Sequence, residues 1–204
     1  MKNEGRLPFV QEILDSGAKV LVTGELTYVG PGKILRDVYL RDPNSTTEDT
    51  AWYFAVDRHI LYSTLELPLA EHGVHIIKDR GVTCSVAYQP LQAKIRGENF
   101  ALEDVIGLPG NAYALAHPPA IIIIVDCEVD TALERLRVRD KRDECQFEKK
   151  EILEKLRERY NSQWYRKFFE NLGTKIAVVS TEEGKPEDTF RRTIEIFEKH
   201  FEYR

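Results

Sequence analysis

At 204 residues, with 42% apolar and 31% charged side chains, the chain is long enough for one well-buried core and short for two, so a single domain over 1–204 is expected. A net charge of -5 gives no general case for a nucleic-acid surface, and neither DNA nor RNA is expected as a partner. The longest apolar run, residues 120–125, falls far below the roughly 20 residues that cross a bilayer, no secretory signal opens the sequence, and Cys84, Cys127 and Cys145 are too scattered for a zinc site or a disulfide framework; the expectation is a cytoplasmic protein with no membrane partner.

Leu7, Val10, Ile13 and Leu14 recur at helical spacing, with Pro8 tolerable in a first turn and Gly17 as a stop. Residues 20–22 read as a short β-branched strand, followed by Thr23-Gly24-Glu25-Leu26-Thr27-Tyr28-Val29-Gly30-Pro31-Gly32, a loop dense in turn formers. Residues 33–40 read as a helix through Ile34, Leu35 and Val38. The polar connection 42–49 contains a Ser45-Thr46-Thr47-Glu48 run suited to capping the next helix. That helix carries Trp52, Phe54, Ala55, Val56, Ile60 and Leu61 and continues toward Leu69. After Gly73, a buried strand at 74–77 leads into Asp79-Arg80, a small-residue turn and a segment ending Ala87-Tyr88-Gln89. Residues 101–117 are expected to be helical in part, broken at Leu108-Pro109-Gly110. The run 120–125 (AIIIIV) has the character of a strand buried on both faces of a parallel sheet. A helix at 131–138 runs into a charged segment at 135–150. Ile152, Leu153, Leu156, Tyr160, Trp164 and Phe168 form a long apolar stripe, 176–179 is the last strand, and Phe190, Ile194, Phe197 and Phe201 stripe the final helix. Strands alternating with helices predict an α/β doubly wound sheet.

In open parallel sheets, ligands sit beyond the carboxyl ends of the strands. Asp79 and Arg80 occupy such an end, where a guanidinium suits a phosphate and where an Asp-Arg pair serves equally as an ordinary ion pair. Phe54 and Arg58, four apart, share a helix face. An aromatic plate beside a fixed donor is what a flat base needs, and the same pair also fits core packing plus a solvated surface. Arg135, Arg137, Arg139, Lys141 and Arg142 form a basic cluster. It reads either as a solvated helix or as a lid that neutralises charge in phosphoryl transfer.

At Asp79, Arg80, Ala87, Tyr88 and Gln89 the chain resembles the thymidylate kinases, a family of nucleoside monophosphate kinases. Gly81 replaces the family's aromatic residue, and Cys84, with Ser85 beside it, stands where a Ser is usual. Glu25, Gly32, Lys33 and Arg36 fit the loop and helix after the family's second strand, while Gly24 and Leu26 replace its Arg and Pro. Phe54-Ala55-Val56-Asp57-Arg58 resembles its Phe-Ala-x-Asp-Arg, and Phe147-Glu148 its Arg-Phe-Glu, with Gln146 in place of the Arg. The resemblance implies a three-layer doubly wound parallel sheet and transfer of the γ-phosphoryl of ATP to dTMP, with Mg2+. It implies Phe54 and Arg58 for the base, Arg36 and Arg80 for the monophosphate, Tyr88 for the sugar, and Glu25 and Ser85 within the same site. Asp79 would orient Arg80 or act near the metal, Arg135, Arg137, Arg139 and Arg142 would belong to a lid at about 135–150, and a homodimer would form through the helix around 50–69.

These kinases carry G-x-x-x-x-G-K-[ST] between their first strand and first helix, and no such motif occurs in the 204 residues. Gly30-Pro31-Gly32-Lys33-Ile34 has neither the spacing nor the hydroxyl. The expectation is a fold without the usual N-terminal strand and P-loop, with a donor site and metal ligands that the sequence does not identify. Either the natural protein begins earlier, or the chain is a catalytically degenerate nucleotide-binding or dimerisation protein of the same fold. A kinase for another nucleoside monophosphate is a further alternative.

Overall fold

The computed structural model describes residues 5–138, 149–182 and 185–200. It is a mixed α/β structure whose chain divides into two compact units, meeting in sequence at His117 and Pro118. Each unit contains one pair of parallel strands.

In the first unit, α1 (Val10–Asp15) opens with the Glu12 carboxylate accepting the Phe9 N–H at 2.9 Å, and the chain turns at Gly17 (φ 70°) into β1 (Val20–Gly24). The turn-former loop is shorter than its composition predicts. Gly30 already begins α2 (Gly30–Ile34), because Pro31 in a first helical turn gives up an N–H that has no helical partner anyway. A π-helical turn (Leu35–Tyr39) continues it. Thr46 caps α3 (Thr47–Leu61) in a reciprocal box with Asp49, as the Ser-Thr-Thr-Glu run foreshadows. A second π-helical segment (Tyr62–Glu66) and α4 (Leu67–Glu71) extend it, with Pro68 again in a first turn. Strand β2 (His75–Asp79) pairs with β1 in the register Val20↔His75 to Gly24↔Asp79.

The stretch read as a small-residue turn after Arg80 is in fact the start of a 15-residue helix, α5 (Val82–Arg96), closed by Gly97 at φ 69°. Its buried positions, Val82, Ser85, Val86, Gln89 and Ala93, recur at helical spacing. Half of that face is polar or small, so apolar periodicity alone does not reveal it. Helices α6 (Leu102–Gly107) and α7 (Pro109–Ala116) follow, broken at Leu108 as expected.

One core cluster joins Leu21 and Val74 to Leu61, Leu65 and Leu69, with Leu7, Val10, Ile13, Leu14 and Ile76 packed on it. Another joins Ala51 and Ala55 of α3 to Ala93, Phe100, Val105 and Leu108. The small residues of α3 let α7 approach closely. A Cβ on Gly110 would fall within 2.6 Å of the Ala55 carbonyl carbon and closer still to its oxygen.

The second unit pairs β3 (Ile121–Asp126) with β4 (Lys175–Ser180), Ile121 opposite Lys175 and Asp126 opposite Ser180. Its helices are α8 (Val129–Arg137), α9 (Lys150–Asn161), α10 (Gln163–Glu170) and α11 (Pro186–His200). The long apolar stripe is thus two helices, parted where Ser162 caps α10. Tyr165 and Phe169 are fully buried with ring centroids 5.0 Å apart. The expectation that the run 120–125 is buried on both faces is not met, Val125 being 61% exposed; in the other strand pair Val22 and Ile77 are 67% and 53% exposed. Among the described residues, no helix is long and apolar enough to cross a membrane, and Cys84 and Cys127 are free thiols.

Candidate active site

The carboxyl ends of β1 and β2 lie side by side, and the ladder runs one step further where Glu25 N–H donates to the Asp79 carbonyl at 3.2 Å. Three helices bring side chains to this end. Arg58 comes from α3, Ser85 and Gln89 from one face of α5, and Asn111 from the first turn of α7.

Arg58 is only 1% exposed. Its Nε donates to Glu25 Oε1 at 3.0 Å, one terminal nitrogen donates to Glu25 Oε2 and to Ser85 Oγ (3.0 Å), and the other donates to Asn111 Oδ1. Asn111 in turn donates to the Val105 carbonyl at 2.7 Å. A guanidinium taken out of water needs this density of acceptors, because desolvation costs several kcal/mol per ion. Burial pushes the Glu25 carboxyl up, yet the Arg58 and Lys78 cations more than offset it and hold Glu25 below its ordinary value. Glu25 is therefore a fixed carboxylate, unsuited to proton transfer near neutrality.

Asp57, the residue before Arg58, shapes the loop above the site. It accepts the backbone N–H groups of Thr27 (2.9 Å) and Gly32 (3.1 Å) and the Thr27 hydroxyl (2.5 Å). Burial pushes its carboxyl above the ordinary Asp value, against those hydrogen bonds, which pull the other way. Gly32 is required by close approach, since a Cβ there would lie 2.6 Å from the Thr27 carbonyl oxygen and 2.7 Å from Asp57 Oδ1. Arg36 is tied to the same loop, donating to the Leu26 and Thr27 carbonyls and lying 4.5 Å over the Tyr28 ring.

Phe54 is half-buried one turn before Arg58, and Tyr88 is half-buried on α5. Asp79 and Arg80 are exposed at the end of β2. Arg80 holds φ at 67°, a left-handed conformation of a non-glycine residue that costs of order 1–3 kcal/mol and tends to occur at functional sites. In the second unit, Arg135 donates to the Thr181 hydroxyl (2.9 Å) and carbonyl (2.6 Å), and Arg137 is exposed at the end of α8. Arg139 and Arg142, with Lys141, Gln146, Phe147 and Glu148, lie outside the described residues.

Three residues at this end were missed by the sequence reading, Lys78, Glu66 and Asn111, and Gln89 was named there without a role. Lys78 bridges Glu25 (2.9 Å) and Glu66 (3.0 Å). Gln89 is 4% exposed, and its Oε1 has no hydrogen-bond partner among the described residues. A buried carbonyl oxygen left unpaired costs about 1–3 kcal/mol, which marks it as a candidate ligand acceptor. The only local signal was its place in Ala87-Tyr88-Gln89, four residues after Ser85. Among the described residues, no group of three or more His, Cys, Asp or Glu side chains is placed to hold a metal.

The thymidylate kinase family profile matches residues 8–183. A probable thymidylate kinase of Methanococcus maripaludis strain C6 is 30% identical over 131 residues, covering 64% of this chain and 58% of that protein. One from Methanocaldococcus jannaschii is 30% identical over 129 residues, covering 63% and 60%. One from Pyrobaculum calidifontis is 26% identical over 156 residues, covering 76% and 75%. The chain thus spans under two thirds of the length of the first two. With a profile match running from before α1 to beyond β4, the chain belongs to the thymidylate kinase family.

Proposed function

We propose that the first unit is the acceptor site of a thymidylate kinase, binding dTMP for phosphoryl transfer from ATP. The observation that carries this reading is the buried end of the cluster. Four residues on from Phe54 in α3, Arg58 presents a guanidinium locked by Glu25, Ser85 and Asn111, and four residues on from Ser85 in α5, Gln89 carries a buried amide oxygen with no hydrogen-bond partner among the described residues. A thymine edge presents acceptor, donor, acceptor. The second N–H of the Arg58 nitrogen that donates to Asn111 suits a carbonyl, Gln89 Oε1 suits the imide N–H, and Phe54 supplies the stacking plate. Arg36 and Arg80 are the phosphate clamp, and Tyr88 lies at the sugar. The lid role of Arg135, Arg137, Arg139 and Arg142 belongs to the same reading, as do a cytoplasmic location and the three-layer doubly wound fold in one domain.

The carboxylates of Glu25, Glu66 and Asp57 are all engaged by donors of the protein itself. Asp79 is the exposed carboxylate at the strand end, fitting a Mg2+ held by one carboxylate and the nucleotide phosphates. When bound, that ion would neutralise charge on the transferring phosphoryl group.

Calorimetric titration with dTMP, dUMP, dCMP and AMP tests the base reading. Binding of dTMP at least tenfold tighter than AMP is expected, and equal or absent binding of all four would end it. A purine or cytidine monophosphate as the tightest ligand would instead mark a kinase of another specificity. The second reading, a nucleotide-binding protein of this fold without transferase activity, is favoured by Gly24, Leu26, Gly81 and Gln146 at motif positions.

Homodimerisation through the helix around 50–69 is part of the proposal. Trp52 and Val56 are exposed on α3 one turn apart, an apolar patch suited to a self-complementary twofold contact. Light scattering at micromolar concentration should give twice the chain mass, and a monomer would count against it.

A further inference from the structure

Beneath Arg58 the charge cluster continues into residues that no motif of the site includes. Lys78 Nζ, on β2, lies 2.9 Å from Glu25 Oε1 and 3.0 Å from Glu66 Oε2, and 4.2 Å from the centroid of the Tyr62 ring. Glu66 Oε1 accepts the Thr23 hydroxyl at 2.5 Å. The side chains of Arg58, Glu25 and Glu66 are 4% exposed or less, and that of Lys78 is 13% exposed. Two carboxylates and two cations make a buried set of zero net charge, which is the condition for keeping all four ionised away from water.

The backbone is arranged to complete this set. Arg58, Tyr62 and Glu66 are spaced by four. Eight residues of α-helix turn through about 800°, leaving Glu66 about 80° off the Arg58 face. The π-helical segment Tyr62–Glu66 turns less per residue, about 80° rather than 100°, and brings Glu66 back beneath Arg58. Such segments inside helices frequently occur at functional sites, and here one aligns a carboxylate with a strand-end lysine.

We propose that Lys78 and Glu66 are positioning residues of the acceptor site: the Lys78 ammonium, anchored by Glu66, holds the Glu25 carboxylate against the Arg58 fork and so sets the direction in which Arg58 meets the base. The proposal rests on the dTMP reading for its functional consequence, while the geometry it asserts stands apart from any ligand. Neither residue touches the nucleotide.

The decisive variant is the double substitution Glu66→Gln with Lys78→Met in the full chain. It removes one charge of each sign, so the remaining Arg58–Glu25 pair stays neutral and the fold is kept, whereas Lys78→Met alone leaves an unbalanced buried carboxylate. Two readouts are taken: the affinities for dTMP and dCMP by calorimetry, and the hydrogen exchange of the Arg58 Nε–H by NMR. In the double variant we expect dTMP binding about tenfold weaker, a dTMP-to-dCMP preference reduced at least threefold, and faster exchange of the Arg58 Nε–H, with a melting temperature near that of the parent. A role in folding alone would weaken both nucleotides in proportion and leave their ratio unmoved, and that result would overturn the proposal, as would unchanged Arg58 exchange. If the parent binds no dTMP, the acceptor-site reading fails, and the Arg58 exchange still decides whether Lys78 and Glu66 hold the fork.

Discussion

Gly110→Ala should unfold the first unit more readily than any conservative substitution at its surface. The added methyl group would meet the Ala55 backbone, within 2.6 Å of the carbonyl carbon, and a backbone group cannot swing aside as a side-chain tip can. Helix α7 would have to retreat from α3. Overpacking of this kind costs about 1–3 kcal/mol, and retreat adds a second loss. Asn111 is the next residue, and its Oδ1 is an acceptor for the buried Arg58. Withdrawing it leaves a charged donor short of a partner, worth a further 1–3 kcal/mol or more. A total above roughly 3 kcal/mol would lower the melting temperature by about 6–12 °C for a chain of this size. Thermal denaturation of the parent and the variant checks this. A variant melting within about 2 °C of the parent would mean that α3 and α7 do not approach as described. Asn111→Ala separates the two contributions, since it removes the acceptor and leaves the helix contact in place.

The largest catalytic effect concerns the donor side. The 204 residues, expressed by themselves, are expected to show little or no ATP-dependent phosphorylation of dTMP. Nothing in their sequence supplies together the backbone cradle, the phosphate lysine and the hydroxyl of G-x-x-x-x-G-K-[ST]. Loss of one transition-state donor alone costs about 10²–10³ in rate, and several such losses compound, though not additively. Coupled measurement of ADP release with magnesium, ATP and dTMP is the assay, run beside dTMP binding so that an intact acceptor site is verified in the same sample. Binding without turnover is the expected pair of results. Robust turnover would place the donor site on residues not assigned to it here, with the basic cluster from Arg135 to Arg142 the first to substitute.

Much of the candidate site is written in short stretches. The β-branched runs that become β1 and β2, the Thr46–Asp49 cap, and the four-residue spacing of Phe54 and Arg58 are local patterns. Each constrains the few residues around it through backbone sterics and helix periodicity. Asp79-Arg80 at a strand end is legible for the same reason. Helix α5 is not, because the face it buries carries Ser85, Gln89 and Ala93, which are buried by their partners rather than by their own hydrophobicity.

The sequence by itself determined the class of the fold, the strand ends at which chemistry gathers, and the residue types available there. Only the tertiary structure decided what each side chain faces. Arg58 reads as a donor aimed at a ligand, yet its guanidinium donates to Glu25, Ser85 and Asn111, and Lys78 and Glu66 complete the balance of charge. Those residues come from the loop after β1, from α3, the π-helical segment, β2, α5 and α7, separated by up to 86 positions in the chain between Glu25 and Asn111. A buried ion is tolerated only when its neighbours neutralise it, and neutrality is a property of the assembled set that no local spacing encodes.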